Sequence, residues 1–131
     1  MSETTRTTTK KKILVVDDDP DITQTFSLVL EDSGLYEVDP YNDSLEALSN
    51  FKPNLYDRAL LDIRMLTMSG FELYNKIEKM DNKVKVCFMS AFDIEAKVLR
   101  EQFPSMQIKC FIPKPIAISV LMKTLETELL R

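Results

Sequence analysis

The sequence contains no histidine, and its two cysteines, Cys87 and Cys110, lie in separate apolar runs without C-x-x-C spacing. Zinc sites draw on imidazole and thiolate ligands at short spacings, so neither a zinc site nor a redox pair is suggested, and buried reduced thiols are expected. Basic residues are also in the minority: 17 lysines and arginines stand against 21 aspartates and glutamates, a formal charge of -4. Phosphate-backbone contact needs a basic face, so direct nucleic-acid binding is excluded, and proteins and small phosphorylated molecules are the expected partners. No apolar run approaches the roughly 18 to 20 residues that a membrane span requires. The polar start from Met1 to Lys12 lacks the apolar centre of a signal peptide. A cytoplasmic protein without membrane contact is the expectation.

What is present suffices for one core, since 44% of the 131 residues are hydrophobic. Residues 1–10, MSETTRTTTK, are threonine-rich without apolar periodicity and are expected to form a disordered leader to a single domain over 11–131. Ile13-Leu14-Val15-Val16 suits a strand buried on both faces, and it stops at Asp17-Asp18-Asp19-Pro20. Asp18 or Asp19 can cap a helix opening at Pro20, with Ile22, Phe26, Val29 and Leu30 at helical spacing until Gly34. The alternation then repeats. Further strands are expected over 35–38, 58–63, 84–89 and 108–112. Further helices are expected over 44–51 with Leu45, Leu48 and Phe51, and after Gly70 with Phe71, Tyr74, Ile77 and Met80. Two more fall over 93–103 and over 116–130, the last with Val120, Leu121, Leu125 and Leu129 inward.

Five strand-helix units joined by short loops imply an α/β fold, a parallel sheet covered by helices on both faces. Ligands of such sheets bind beyond the carboxyl ends of the strands. The expected ends carry Asp17 and Asp18, then Asp62, then Ser90, then Pro113-Lys114-Pro115. Two carboxylates about 4 Å apart repel by roughly 4 kcal/mol at an effective dielectric near 20, so three together favour protonation or a bound cation. Oxygen ligands without imidazole or thiolate suit Mg²⁺, which also binds phosphate oxygens. A carboxylate beside such an ion can attack phosphorus to form an aspartyl phosphate. The metal and a lysine would neutralise the transferring group, and Ser90 would donate to a phosphoryl oxygen.

These segments carry a family resemblance. VVDDD at 15–19, LLDIRM at 61–66 before Gly70, FMSA at 88–91 and PKP at 113–115 resemble, in order, the signatures of response-regulator receiver domains. The resemblance covers residues 11–130. It implies a flavodoxin-like (βα)5 doubly wound parallel sheet in strand order 2-1-3-4-5. It also implies that Asp62 accepts a phosphoryl group from a sensor histidine kinase, a phosphotransfer protein or a small phosphodonor. By the same resemblance Mg²⁺ is held by Asp17, Asp18, Asp62 and the backbone carbonyl of Arg64. Ser90, the Ala91 backbone and Lys114 would contact the phosphoryl group, Phe111 would be the switch aromatic, and Lys114-Pro115 a cis peptide. The apolar faces of the last two helices are expected to be mostly core, with a homodimer surface there as the alternative use. Leu66 departs from its pattern, which usually has proline there, and leaves a more mobile loop as the expectation.

Arg64 and Phe92, two residues beyond the acceptor and two beyond the hydroxyl, are the positions that the resemblance assigns to control of dephosphorylation rate. Both are large, so slow hydrolysis is expected. A phosphatase or phosphotransferase with an aspartyl-phosphate intermediate usually wants a second acid two residues after the nucleophile, where this chain has Arg64. A phosphorylation-independent adaptor retaining the fold is the remaining alternative. Nothing after Arg131 in this sequence distinguishes a stand-alone receiver from part of a longer regulator.

Overall fold

The computed structural model describes residues 10–90, 101 and 110–129. Five strands, β1 (Lys11–Val16), β2 (Tyr36–Tyr41), β3 (Arg58–Asp62), β4 (Lys85–Ser90) and β5 (Phe111–Pro113), pair in parallel in the order β2-β1-β3-β4-β5. The described helices are α1 (Pro20–Asp32), α2 (Ser44–Asn50), α3 (Gly70–Met80) and α4 (Ile118–Leu129). The expected class and strand order are both observed. The helix expected over 93–103 lies outside the described residues apart from position 101, as do residues 1–9. Among the described residues no helix is long and apolar enough to cross a membrane.

Side-chain alternation along β1 explains why the sheet is covered twice. Leu14 and Val16 join Ala47, Phe51, Phe71, Leu73 and Ile77 in a core beneath α2 and α3. Ile13 and Val15 join Phe26, Leu30, Leu121 and Leu125 beneath α1 and α4. All four β1 residues are fully buried, which is why their run shows no polar alternation. Leu121 and Leu125 stand one helical turn apart and are both fully buried, which contributes about 3 to 6 kcal/mol to docking α4.

Several local expectations are corrected. Val120, expected inward, is 50% exposed, and Leu45 and Met80, at helical spacing with core residues, are 49% and 44% exposed, while Ala47 and Leu73 are buried. A short helix tolerates a phase rotated by one residue, and contact with the sheet selects the phase. Strand β2 continues past Val38 through Pro40 to Tyr41. It is an edge strand, where proline need not remove a ladder bond. The largest correction concerns the cysteines: Cys87 on β4 and Cys110, one residue before β5, are joined by a disulfide rather than standing as separate thiols. The register that pairs Phe88 with Phe111 sets the preceding residues side by side.

Candidate functional site

Asp17 follows β1 directly and is fully buried. Its position is fixed on three sides, because its N–H donates to the Tyr41 carbonyl (3.1 Å), its carbonyl accepts from Asn42 Nδ2 (2.8 Å), and its Oδ1 accepts from the Asp19 N–H (2.9 Å). Asp19, not Asp18, caps α1, accepting from the Asp21 N–H with Pro20 in the first turn. That leaves Asp18 exposed and uncommitted to the cap.

Asp62 ends β3 at 6% exposure. Gly70 is required behind it, since a Cβ at that position would collide with the Asp62 carbonyl oxygen where α3 begins. The Gly70 N–H donates to the Ile63 carbonyl (2.9 Å), and Ser69 and Glu72 close a capping box on α3. Ligand oxygens of Asp17, Asp18 and Asp62 all lie within 4.8 Å of one another.

Lys114 enters from the fifth strand. Its N–H donates to the Ser90 carbonyl (2.7 Å), and Lys114-Pro115 is cis, as the resemblance implied. The ammonium reaches Asp17 Oδ2 at 2.6 Å and Asp62 Oδ1 at 3.2 Å. Burial, followed by the charge of Asp17, pushes the Asp62 carboxyl up to about 6 although Lys114 pulls the other way. Burial alone would lower Lys114, but its bonds to Asp17 and Asp62 and their charges outweigh that and hold it above its usual value.

Ser90 is buried at the end of β4, and Phe111 is half-buried against the core under α2 and α3. Arg64 is exposed in the loop after β3. Ala91 and Phe92 lie outside the described residues. The structure therefore brings Asp17, Asp18, Asp62, Ser90 and Lys114 to one edge of the sheet. Three carboxylates without imidazole or thiolate form a donor set for a hard, oxygen-seeking divalent cation, and the residues present fit Mg²⁺. Asn42 and Gly70 also shape this edge. Sequence periodicity does not single out Asn42, because its role depends on β2 and β1 being neighbours.

A doubly wound parallel sheet with an acidic cluster and a lysine at its carboxyl edge defines an α/β module of flavodoxin-like architecture. The family comparison makes this specific: the profile described as "Response regulator receiver domain" matches residues 13–126, and the chain belongs to that family. It is 30% identical over 115 residues to the "Regulatory protein VanRB" of Enterococcus faecalis, covering 88% of this chain and 50% of that protein. The chain spans half or less of the length of the curated relatives it matches. Among solved structures, the non-phosphorylated HemR receiver domain of Leptospira biflexa superposes with a TM-score of 0.77 at 29% identity, covering 90% of this chain and 93% of that one. The TrrA response regulator of Thermotoga maritima, solved with Mg²⁺-BeF, gives 0.73 at 28% identity, covering 89% and 97%.

Proposed function

We propose that this receiver domain is a phosphorylation switch in which Asp62 accepts a phosphoryl group in a Mg²⁺-dependent reaction. The observation that carries the reading is the convergence of Asp17, Asp18 and Asp62 with the Lys114 ammonium bonded to two of them. An Asp62 carboxylate oxygen forms the new O–P bond as the bond from phosphorus to the donor's nitrogen or oxygen breaks, and the donor leaves with that electron pair. Bound Mg²⁺, held by Asp17, Asp18, Asp62 and the Arg64 carbonyl, would supply charge neutralisation for the phosphoryl oxygens. Lys114, whose ammonium already lies 3.2 Å from Asp62 Oδ1, would neutralise a further phosphoryl oxygen. Ser90 and the Ala91 N–H donate to the phosphoryl group once it is in place, and Phe111 follows Ser90 to alter a protein-binding face.

The donor in this reading is a sensor histidine kinase, a phosphotransfer protein or a small phosphodonor, and the domain acts in the cytoplasm as the kinase's substrate rather than as a turnover enzyme. A groove of about 550 Å³ between α1 and the segment after β5, whose lining includes Asp21, Ile22, Thr25, Phe26, Lys114 and Ile116, adjoins the site. Lys114 connects its wall to Asp62, so a donor protein carrying phosphohistidine would approach along it. Arg64, exposed beside the acceptor, and Phe92 would restrict in-line water and lengthen the signal.

Intact-mass measurement after incubation with acetyl phosphate tests the reading. One phosphoryl group is expected with Mg²⁺, and none with EDTA or in Asp62→Asn. An unmodified wild type would leave the adaptor alternative in its place.

A further inference from the structure

The loop between β3 and α3 contains the Arg64 carbonyl and must adopt one arrangement to present it, yet much of it lacks packing. Leu66, at the position where the family pattern usually has proline, is 93% exposed. Met65 and Met68 rest partly buried on the core, and the far end is closed by the Ser69 capping box. Between them stands Thr67, whose hydroxyl bonds to Asp43 Oδ1 at 2.6 Å and meets Ser44 Oγ at 3.0 Å.

Proton counting orients this network. A threonine hydroxyl has one proton, and an ionised carboxylate only accepts, so Thr67 donates to Asp43 and Ser44 donates to Thr67. Asp43 uses its other oxygen to cap α2 through the Glu46 N–H (3.3 Å). Ser44 is fully buried, which shields one end of the chain of bonds from water. The N-terminus of α2 therefore holds the acceptor loop by a charge-assisted bond.

The same short segment grips the other acidic loop. The Tyr41 carbonyl accepts from the Asp17 N–H, and Asn42 Nδ2 donates both to the Asp17 carbonyl (2.8 Å) and to Thr23 Oγ1 (2.9 Å). Residues 41–44 thus touch the Asp17-Asp18 loop with one pair of residues and the Asp62 loop with the next. We propose that the β2-α2 turn is a clamp that fixes the two carboxylate-bearing loops relative to each other for cation binding, with Thr67 as the positioning residue on the acceptor side. The clamp takes over the restraint that proline would supply at position 66. It rests on the Mg²⁺-dependent reading above.

Thr67→Val in the full chain removes the hydroxyl while keeping shape, and Thr67→Ser keeps the hydroxyl. The Thr67–Asp43 bond is exposed to competing water, which brings its contribution down to about 1 kcal/mol, so Mg²⁺ affinity by calorimetry should weaken about 3- to 5-fold in Thr67→Val and stay within about twofold in Thr67→Ser. Amide exchange over residues 64–68 in EDTA should quicken by a similar factor in Thr67→Val alone. The acetyl phosphate reaction at saturating Mg²⁺ should keep its maximal rate within about twofold, with only the Mg²⁺ half-saturation point moving. Unchanged affinity and exchange in Thr67→Val, or a serine variant that behaves like valine, overturns the clamp. So does a lowered maximal rate at unchanged half-saturation. A wild type that binds no Mg²⁺ overturns the metal reading and the clamp's purpose with it, whereas the exchange result in EDTA reports on the loop by itself.

Discussion

Lys114 donates to Asp17 across 97 residues of chain, Nζ to Oδ2 at 2.6 Å, and this bond is shorter than the 3.2 Å contact that the same ammonium makes with Asp62. The ammonium therefore sits between two carboxylates of the acidic edge. Asp17 is fully buried and the Lys114 side chain is only 17% exposed, so the pair is a largely desolvated one. Breaking such a pair by removing one partner costs about 3 kcal/mol, toward the lower end for buried pairs because Lys114 keeps some water contact. Lys114→Ala should therefore lose roughly that much stability in EDTA and recover much of it with Mg²⁺, which replaces the lost positive charge. Urea unfolding with and without Mg²⁺ measures both. Equal stability of variant and wild type in EDTA would show that the pair does not hold the edge together.

Asp62 gives the metal-free protein a pH dependence of definite sign. Its folded value of about 6 lies above the ordinary 3.8, so between those values the folded state binds more protons than the unfolded chain. Stability from this group is therefore full below pH 4 and falls as pH rises toward 6 and beyond. Two pKa units correspond to about 3 kcal/mol. Asp62→Asn carries no titrating carboxyl, so it should match wild type near pH 4 and exceed it by up to about 3 kcal/mol at pH 7, measured by urea unfolding in EDTA. A difference that does not change with pH would contradict the assigned shift.

The disulfide between Cys87 and Cys110 closes a loop with a sequence separation of 23. Loop-closure entropy for that length corresponds to about 3 kcal/mol of stabilisation. Thiol counting in denaturant should find none without reductant. Reduction or Cys87→Ala with Cys110→Ala should lower the urea midpoint accordingly. Two free thiols in the unreduced protein would restore the expectation of separate buried cysteines.

Much of this edge was legible before any fold was known, and the reasons are physical. Ile13 to Val16 announce a doubly buried strand because both faces need apolar cover, and Asp17-Asp18-Asp19-Pro20 marks its end because proline and a capping acid start a helix. Asp62, Ser90 and Lys114 followed from the rule that parallel sheets use their carboxyl edge. The disulfide was not legible, because it depends on the relative register of β4 and β5 rather than on any spacing within one segment. Helix phase was missed at Leu45, Met80 and Val120, since apolar residues at helical spacing do not say which of two adjacent faces meets the sheet. Thr67 with Asp43 and Ser44 was invisible for the same reason as Asn42: each is an ordinary loop or cap residue until the order β2-β1-β3 sets α2 beside the acceptor loop.

Asp62 is the proposed acceptor, and locating the phosphoryl group tests that role most directly. After reaction with acetyl phosphate and Mg²⁺, peptide mapping by mass spectrometry should place a single phosphoryl group on Asp62. The group should be released by hydroxylamine, as an acyl phosphate is and a serine or threonine ester is not. A phosphoryl group that is stable to hydroxylamine and maps to Ser90, Thr67 or another hydroxyl, or one that forms equally well in EDTA, would contradict the account.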